Sequence, residues 1–460
     1  MASTDTSTLD IPGFDGQLIR PGDAQYDEAR TVFNAMIDRR PVLIARCATA
    51  DDVVATVNLA REQGIALSVY GGGHGVTGAA VVDGGICADL RGLKGIDVDA
   101  DAQTVRAEGG LTWGEFDAAT AAHGLAVTGG RVPSTGIAGL ALGSGSGWIE
   151  RKFGFVCDNL FRAEVVTADG RKVVASETEN PELFWGLRGG GGNFGIVTAF
   201  HFHLHPLPPA ILAGMLVHPA STARDLLRFY RDFMLDAPDE VGGGLAFITA
   251  PPAPFVPPEA QGHPAIGIVV TYAGPIEEGE KVLAPLREFG PPVVDLVEPM
   301  PYTAVQQLIE PGNPEGMQNY WTADFYDTLP DDAIDVLVEH VSQPVSPLTQ
   351  VIVIRGGGAI ARVPEDAMAF GQRHSQWNIH YLSLWPDPAE NALNIEWTKR
   401  LSQAMKPFAT GRVYLNFIGD EGEERVESGF GPEKYQRLQA LKKQWDPDNL
   451  FCHNQNIKPA

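Results

Sequence analysis

The chain has 460 residues, enough for about two or three domains and for more than one hydrophobic core. Hydrophobic residues make up 44% and charged residues 20%, an ordinary globular balance that excludes global disorder. Because 58 acidic residues outnumber 34 basic ones, the net charge is −24, which argues against binding to nucleic acid or to an anionic membrane surface. Glycine is over-represented, since the 52 glycines exceed the usual share of ~7%, and they are clustered.

The N-terminus and the cysteines both predict a reducing, cytoplasmic location. The first residues, MASTDTSTLDIPGF, contain neither the basic nor the apolar segment of a signal peptide. No stretch approaches the ~18 apolar residues of a membrane span. The cysteines lie far apart and form no CxxC pair, so we expect free thiols rather than disulfides or a zinc site. They are Cys47, Cys87, Cys157 and Cys452.

The first part of the chain combines a lead-in segment with a β-α-β unit. We predict that residues 1–38 form the lead-in, mostly helical from about Ala24 to Arg39. Strands over Val42–Arg46 and Ala66–Tyr70 then flank a helix that Thr49 caps.

Short elements follow this unit. We predict strands over Gly85–Asp89, Gly95–Val98 and Thr104–Glu108, and a helix that starts after Thr112 and ends at Gly124. Further on, Arg162–Thr167 and Arg171–Ala175 indicate a hairpin with an Asp-Gly turn.

The composition changes at His205–Ala210 (HPLPPA), where strands begin to alternate with amphipathic helices. The predicted strands include Ile266–Tyr272, Thr349–Arg355 and Asn378–Leu384, and the predicted helices include Thr222–Leu235 and Pro330–His340. This antiparallel α+β pattern is typical of a second domain. From Gly411 onward the pattern changes again, with a predicted helix over Pro432–Gln444.

Tyr70–Gly75 (YGGGHG) is the first of three glycine clusters. Consecutive glycines let the backbone approach a ligand closely and leave amides free to bind phosphate oxygens. A histidine within such a loop is held at the ligand. The alternative is a plain turn with His74 at the surface.

The second cluster, Gly129–Gly154, is neither of the common nucleotide-binding loops. It lacks the GxxxxGK[ST] of a P-loop, and its GSGSG at Gly143–Gly147 is not followed by a clear Rossmann βαβ unit. The apolar residues within it favour a buried loop packed on a large ligand over a flexible linker.

The third cluster, Gly189–Gly192, precedes a strand that places His201, His203 and His205 on one face. Alternating histidines on a strand are more typical of a solvent-facing surface than of a metal site. We therefore predict no metal.

In this order the three clusters resemble one family, the FAD-linked oxidases of the berberine-bridge-enzyme-like group, which have the vanillyl-alcohol-oxidase or PCMH-type FAD-binding fold. The matching sequences are YGGGHG, VPSTGIAGLALGSGSGWIERKFG, DNLFRAEVVTADG, PELFWGLRGGGGNFGIVT, YLNFIGDEGEERV and WDPDNLFCHNQNI. They fall before residue 205 and in the last 50 residues or so, and the middle of the chain resembles the family more loosely.

The resemblance implies an α+β fold in which an FAD-binding domain of two α+β subdomains carries an inserted substrate domain. The inserted domain is built on an antiparallel sheet covered by helices. We expect residues 1–208 and 410–460 to form the FAD-binding domain and residues 209–409 to form the substrate-binding domain.

The resemblance also implies that FAD is attached covalently. In the family, the histidine of the GGGH loop bonds to the C8 methyl group of the isoalloxazine, and this position is His74 here. Many relatives add a cysteine link from the second cluster, but Val132 occupies that position and no cysteine lies nearby. The expectation is therefore a single attachment, through His74.

Backbone amides across Gly71–Gly75 and Gly129–Gly139 are expected to hold the pyrophosphate, and Ile196–Val197 to meet the adenine-ribose end. Asn454 and Asn456 match a terminal segment near the isoalloxazine, with a simple C-terminal tie-down as the alternative. The residues assigned to the cofactor are Tyr70, Gly71, Gly72, Gly73, His74, Gly75, Gly78, Val132, Ser134, Thr135, Gly136, Gly139, Gly143, Gly147, Trp148, Gly195, Ile196, Val197, Asn454 and Asn456.

Family chemistry needs a base that removes a proton while a hydride moves from substrate carbon to flavin N5. Tyr414, on a predicted strand over Val413–Phe417, is the first candidate, although it could be an ordinary strand tyrosine. On the strand Trp377–Tyr381, either the odd-numbered residues or Asn378 and His380 face the flavin. His380 and Tyr381 are therefore the further candidates, with His374 behind them.

These expectations describe an oxidase that acts on a small alcohol, sugar, amine or phenolic metabolite and passes electrons to O2, giving H2O2. The alternatives are a dehydrogenase of the same fold with another electron acceptor, and a catalytically silent flavin- or ligand-binding protein. The expected assembly is a monomer or a homodimer. The substrate itself is set by the loosely matched middle region.

Overall fold

The computed structural model describes residues 9–460. The first eight residues, which carry most of the sequence examined for a signal peptide, lie outside the described residues. No helix within residues 9–460 combines the length and the apolar character needed to cross a bilayer. Helices and mainly antiparallel sheets are mixed throughout, so the predicted α+β class is confirmed.

The first sheet contains four strands in the order β1-β2-β4-β3, with β2 and β3 parallel to β4. Its elements are β1 (Gln17–Ile19), α1 (Tyr26–Ala29), β2 (Leu43–Arg46), α2 (Ala50–Gln63), β3 (Leu67–Tyr70) and β4 (Ile86–Asp89). The predicted β-α-β unit is therefore present. As predicted, Thr49 caps α2, in a capping box with Asp52.

The predicted long helix over Ala24–Arg39 is wrong, because only the four residues of α1 are helical there. Beyond α1 the backbone bonds to other parts of the protein instead of to itself. The amide of Phe33 donates to the Gly73 carbonyl at 3.1 Å, and the amide of Ala35 donates to the Met317 carbonyl at 2.9 Å. These contacts place the lead-in against the first glycine cluster.

A second sheet of five antiparallel strands has the order β5-β6-β10-β8-β9, and β7 pairs separately with β11. The elements are β5 (Ile96–Asp99), β6 (Thr104–Glu108), α3 (Trp113–Ala121), β7 (Leu125–Ala126), α4 (Ile137–Leu142), α5 (Glu150–Phe153), α6 (Val156–Asn159), β8 (Leu160–Val166), β9 (Lys172–Ser176), α7 (Pro181–Leu187), β10 (Ile196–His203) and β11 (His205–Pro206). The predicted hairpin is β8–β9, with Gly170 at φ +80° in its turn.

A third, eight-stranded antiparallel sheet has the order β15-β12-β14-β13-β18-β19-β17, with β16 also on β12. Its elements are β12 (Ile211–Pro219), α8 (Ala223–Asp236), β13 (Val241–Thr249), β14 (Pro264–Tyr272), α9 (Ile276–Glu288), β15 (Val294–Asp295), β16 (Glu298–Met300), α10 (Tyr302–Val305), β17 (Gln318–Tyr326), α11 (Asp331–Val341), β18 (Gln350–Arg355), α12 (Ala359–Arg362), β19 (Trp377–Trp385) and α13 (Asn391–Met405). All its strands fall within the region expected to be the substrate domain.

Four helices, α8, α9, α11 and α13, cover one face of this third sheet. Trp377, Ile379 and Tyr381 of β19 belong to the apolar core between the sheet and these helices. Because side chains alternate along a strand, His380 points to the opposite face, which none of these four helices covers. The structure thus decides between the two orientations that the sequence left open for β19.

The chain ends beside the second sheet with α14 (Glu423–Phe430) and α15 (Pro432–Trp445). The predicted strand over Val413–Phe417 is wrong, because Leu415–Phe417 form a single 3-10 turn. Within the described residues, the segment forms backbone hydrogen bonds with β17 only near its two ends, where Phe325 donates to the Arg412 carbonyl at 3.2 Å and Gly419 donates to that of Trp321 at 3.1 Å. Between these points it bulges away from the sheet.

Candidate functional site

A cavity of about 410 Å³ lies between the glycine clusters and the face of the third sheet that carries His380. All three clusters contribute to its wall, and so do the 3-10 turn before α14 and the C-terminal segment after α15. Residues that are more than 300 positions apart in the sequence therefore meet at one site.

Most of the predicted cofactor residues line this cavity. They are Gly71, Gly72, Gly73, His74, Gly75, Val132, Thr135, Gly136, Gly139, Gly143, Trp148, Gly195, Ile196, Val197 and Asn454. Of the three candidate bases, His380 lines it.

Five predicted cofactor residues lie just behind the wall: Tyr70, Gly78, Ser134, Gly147 and Asn456. Tyr70 is buried, its hydroxyl donates to the Thr31 carbonyl at 2.7 Å, and its ring leaves no room for a side chain at Gly73. These residues support the loops rather than face the cavity, which corrects the expectation of direct contact.

His74 lies in the cavity wall with both ring nitrogens near hydroxyl groups. Its Nε2 is 3.0 Å from Ser134 Oγ, and its Nδ1 is 3.4 Å from Thr135 Oγ1. The ring also stacks on Phe33, with centroids 4.6 Å apart and an interplanar angle of 18°. Burial lowers the pKa of His74 to about 4, so the imidazole is neutral at physiological pH.

Three glycines of the wall have a property that no other described glycine shares. At Gly75, Gly139 and Gly192 an added Cβ would meet no atom within 4 Å, and none of the three has a left-handed φ. Neither backbone conformation nor packing against protein therefore requires glycine there. Each lines the cavity, so the space that a Cβ would fill is space for a ligand.

The charge of the cavity wall differs from that of the whole chain. Within residues 9–460, no Asp or Glu lines the cavity, although the net charge of the protein is −24. Arg131 is the permanently charged side chain in the wall. Glycine loops with free amides and no nearby carboxylate suit a large anionic cofactor such as FAD.

A buried ion pair holds the C-terminal wall in place. Lys442 and Asp446 on α15 are fully buried with Nζ and Oδ2 2.7 Å apart. Lys442 also donates to the carbonyls of Asn193 at 2.8 Å and Phe451 at 2.9 Å. Asn454 Nδ2 donates to the Gly192 carbonyl at 3.1 Å. The terminal segment is thus tied to the third glycine cluster and lines the cavity at the same time.

His380 is the one candidate base in the cavity wall. Its ring stacks on Phe417 at 4.2 Å, and its Nε2 has no hydrogen-bond partner. Burial and, to a smaller extent, the charge of Arg131 lower the pKa of His380 to about 3. A neutral imidazole with an unpartnered nitrogen can accept a proton.

Tyr414 and Tyr381 do not line the cavity, contrary to the sequence expectation. Tyr414 turns into an aromatic cluster with Phe155, Phe325 and Phe370, and its Oη accepts a hydrogen bond from Ser144 at 2.9 Å. Tyr381 packs under the helices, with its hydroxyl 2.6 Å from that of Tyr326. Burial raises the pKa of both phenols, so neither is suited to act as a base.

Sequence reasoning missed several residues of the wall, most of them on the third sheet. They are Phe33, Arg131, Gly243, Gly244, Val269, Ile309, Asn313, Trp321, Gln350, Ile352, Ile354 and Leu382. The glycine run Gly242–Gly244 inside a strand was an available signal, since glycine in a strand often marks close approach of a ligand. The alternation of side chains along β18 was another available signal, but only the assembled sheet shows which of its two faces borders the cavity.

Two regions of the chain match protein families. Residues 41–176 match the FAD binding domain family, and residues 413–458 match the family described as berberine and berberine like. The chain is 32% identical over 465 positions to the (R)-6-hydroxynicotine oxidase of Paenarthrobacter nicotinovorans, covering 96% of this chain and 97% of that enzyme. It is 29% identical to an FAD-linked oxidoreductase of Dictyostelium discoideum, covering 97% and 95% of the two chains.

Solved structures show the same fold. The crystal structure of 6-hydroxy-D-nicotine oxidase from Arthrobacter nicotinovorans matches with a TM-score of 0.87 at 30% identity, covering 98% of this chain and 100% of that one. A chitooligosaccharide oxidase shares the fold with a TM-score of 0.84 at 23% identity, covering 97% of each chain. Similarity over nearly the whole length, together with the FAD-binding match and the glycine-lined cavity, means that this chain is an FAD-dependent oxidoreductase of the berberine-bridge-enzyme-like family.

Proposed function

We propose that the protein is an oxidase that carries FAD on a single covalent bond to His74 and oxidises a small organic substrate at the expense of O2. The observation that carries the proposal is the position of His74, a neutral imidazole in the wall of a cavity that three glycine clusters line. When bound, FAD supplies the hydride acceptor and the route for two electrons to O2, which leaves as H2O2.

His74 is suited to covalent attachment for two reasons. Its neutral ring has a lone pair free for bond formation, and Ser134, Thr135 and Phe33 fix its orientation. A second attachment through sulfur is not expected, because Val132 occupies the relevant part of the wall and none of the four cysteines lines the cavity.

We divide the chain into FAD-binding and substrate-binding regions according to the residues that each contributes to the cavity wall. We assign residues 1–208 and 410–460 to FAD binding and residues 209–409 to substrate binding. Backbone amides at Gly71–Gly75 and in the second cluster would hold the pyrophosphate. The face of the third sheet that carries Ile352, Leu382 and His380 would cover the substrate.

His380 is our candidate for the group that takes the proton from substrate as the hydride leaves carbon. It is neutral at physiological pH, lines the cavity and has an unpartnered Nε2. Because Phe417 and Trp321 pack against its ring, at 4.2 Å and 5.2 Å between centroids, its orientation is fixed before substrate binds. Such preorganisation is what general base catalysis requires.

Our proposal that O2 accepts the electrons is supported by the similarity of the chain to an enzyme named as an oxidase, the (R)-6-hydroxynicotine oxidase. A cytoplasmic location and a monomeric or homodimeric state remain predictions from the sequence.

The test uses the purified holoenzyme and a panel of alcohols, phenols and amines. We expect substrate to bleach the flavin absorption without oxygen, and admission of air to restore the colour with stoichiometric H2O2. Bleaching that air does not reverse would identify a dehydrogenase instead. A protein that stays colourless after supply of FAD would contradict the proposal altogether.

A further inference from the structure

The substrate side of the cavity is apolar apart from a small group of hydrogen-bonding side chains. Val269, Ile309, Ile352, Ile354 and Leu382 supply the apolar wall. A wall of this kind suits a compact apolar or aromatic substrate better than a sugar, which would need a hydrogen-bond partner for each hydroxyl group.

Arg131 is held at this wall by partners that leave part of its guanidinium free. It donates to Ser146 Oγ at 2.8 Å, to the Gly147 carbonyl at 3.2 Å and to Glu150 Oε1 at 3.2 Å. These bonds use three of the five N–H groups of an arginine. Glu150 is 5% exposed and does not line the cavity, so the wall presents the cation and not its counter-ion.

Trp148 packs beside Arg131. Its ring lies 5.0 Å below the guanidinium, and its indole Nε1 has no hydrogen-bond partner. Trp148 is 3% exposed and lines the cavity, and its carbonyl accepts a bond from Thr271 of β14 at 3.1 Å. Arg131 and Trp148 therefore lie where the second glycine cluster meets the third sheet, on the substrate side of the cavity.

The charge of Arg131 also reaches His380, because it contributes to the lowered pKa of that imidazole. A ligand between the two would face a permanent cation and a neutral imidazole. Among the described residues, no carboxylate in the wall could pair with an ammonium group.

We propose that the substrate is a compact apolar molecule with an anionic oxygen group, a carboxylate or an ionised phenol, which Arg131 binds while the reacting O–H or N–H faces His380. This inference rests on the proposed function and narrows its substrate class. It disfavours both cationic amines and sugars.

The experiment uses anaerobic holoenzyme and four matched probes of one size: 4-(hydroxymethyl)benzoate, 4-hydroxybenzyl alcohol, 4-(hydroxymethyl)benzamide and 4-(aminomethyl)benzyl alcohol. Binding is read from the perturbation or bleaching of the FAD absorption. We expect the benzoate to bind about 10-fold to 100-fold more tightly than the neutral amide, the range of one hydrogen bond to a charged group, and the ammonium probe most weakly. Binding of 4-hydroxybenzyl alcohol is measured below and above the pKa of its own phenol group. Tighter binding above that pKa identifies a site for phenolate rather than for carboxylate alone.

Three variants test the role of Arg131. Arg131→Gln should remove the preference for the benzoate over the amide, and Arg131→Lys should restore part of it. Arg131→Gln leaves the buried carboxylate of Glu150 without its cation and could therefore prevent folding. The double variant Arg131→Gln/Glu150→Gln removes both charges and tests the same preference without that unpaired charge. A variant is compared with the wild type only if its FAD content and its thermal unfolding temperature are unchanged.

Equal binding of benzoate and amide, preference for the ammonium probe, or a preference that survives Arg131→Gln would each overturn the inference. So would a benzoate that leaves the flavin spectrum unchanged up to its solubility limit. These results would leave the proposed function intact, because another substrate could still reduce the flavin. Failure to bind FAD would instead contradict the proposed function itself.

Discussion

Ser134 Oγ lies 3.0 Å from Nε2 of His74, so the second glycine cluster orients the histidine of the first. The two residues are 60 positions apart in the sequence. Thr135, the next residue, is 3.4 Å from the other ring nitrogen. The proposed attachment residue is thus oriented by two adjacent hydroxyl groups, and the proposed covalent bond would depend on more than the presence of a histidine.

The His74→Ala variant should bind FAD without any covalent bond. The lost imidazole is the only nucleophile that we assign to the cofactor, whereas the glycine amides remain. After acid precipitation the wild-type pellet should be yellow and the variant pellet colourless, and the intact mass should lack the FAD increment. A variant that still carries covalent flavin would show that another residue forms the bond.

Ser134→Ala should slow attachment without abolishing it, because the imidazole loses its shorter hydrogen bond and keeps the contact with Thr135. We expect the rate of covalent incorporation into apoprotein to fall about fivefold, which corresponds to the loss of roughly 1 kcal/mol from one hydrogen bond. Ser134→Thr keeps the hydroxyl group and serves as the control. Equal rates for Ser134→Ala and wild type would mean that Ser134 does not position His74.

Gly139→Ala should separate folding from cofactor binding. Gly139 lies within α4, where alanine is about 1 kcal/mol more favourable than glycine, and no protein atom lies within 4 Å of the added Cβ. The apoprotein should therefore unfold at the same temperature or a higher one. FAD loading should fall at least tenfold, because the methyl group occupies the cofactor's space. Normal loading would indicate that the cofactor does not pass this glycine.

His380→Gln should lower the rate of substrate-dependent flavin bleaching by roughly 10²-fold to 10⁴-fold, the usual contribution of a general base. FAD content should be unchanged. Tyr381→Phe and Tyr414→Phe are matched controls that should keep near-normal rates, since neither tyrosine lines the cavity. Since the pKa of His380 is lowered to about 3, no ionisation of this residue should appear in the rate between about pH 5 and pH 8. A rate that depends on Tyr414 instead would restore the first sequence candidate.

Asp117 should make stability depend on pH. This carboxyl on α3 is fully buried, with no cation beside it, and accepts one bond from Gln306 at 2.8 Å. Burial raises its pKa to about 7, whereas an unfolded Asp ionises near ~4. The folded protein keeps a proton that the unfolded chain loses, so this stabilisation is complete below pH ~4 and is lost as pH rises toward 7.

Asp117→Asn removes the titration at constant shape. In urea unfolding at several pH values, the stability of wild type relative to the variant should fall with rising pH by up to ~1.4 kcal/mol per unit between about pH 4 and 7. Parallel curves for the two proteins would show that Asp117 does not hold a proton in the folded state. The same network reaches the site, because Gln306 also donates to the carbonyl of Gly130 in the cavity wall at 2.9 Å.

Local chemistry explains which elements could be predicted from the sequence. Thr49 and Asp52 form a capping box, and Gly124 adopts φ +68° after α3, because caps and turns depend on neighbouring residues. The wrong predictions fall where distant backbone contacts decide the conformation. Phe33 bonds to Gly73, and the segment around Asn416 bulges to the second cluster, where Asn416 Nδ2 donates to the Leu140 carbonyl at 3.1 Å.

The sequence by itself determined the family, the histidine in the cavity wall and the glycine loops around the cavity, because glycine content and order can be read directly from the chain. Tertiary structure alone decided which candidate base reaches the cavity. Strand alternation narrows β19 to two faces, but only the packing of helices on one face leaves His380 on the other. The same packing keeps Tyr414 and Tyr381 out of the cavity wall and places Arg131 in it. Burial is a property of the assembled sheets and helices, so no single segment of the sequence reveals it.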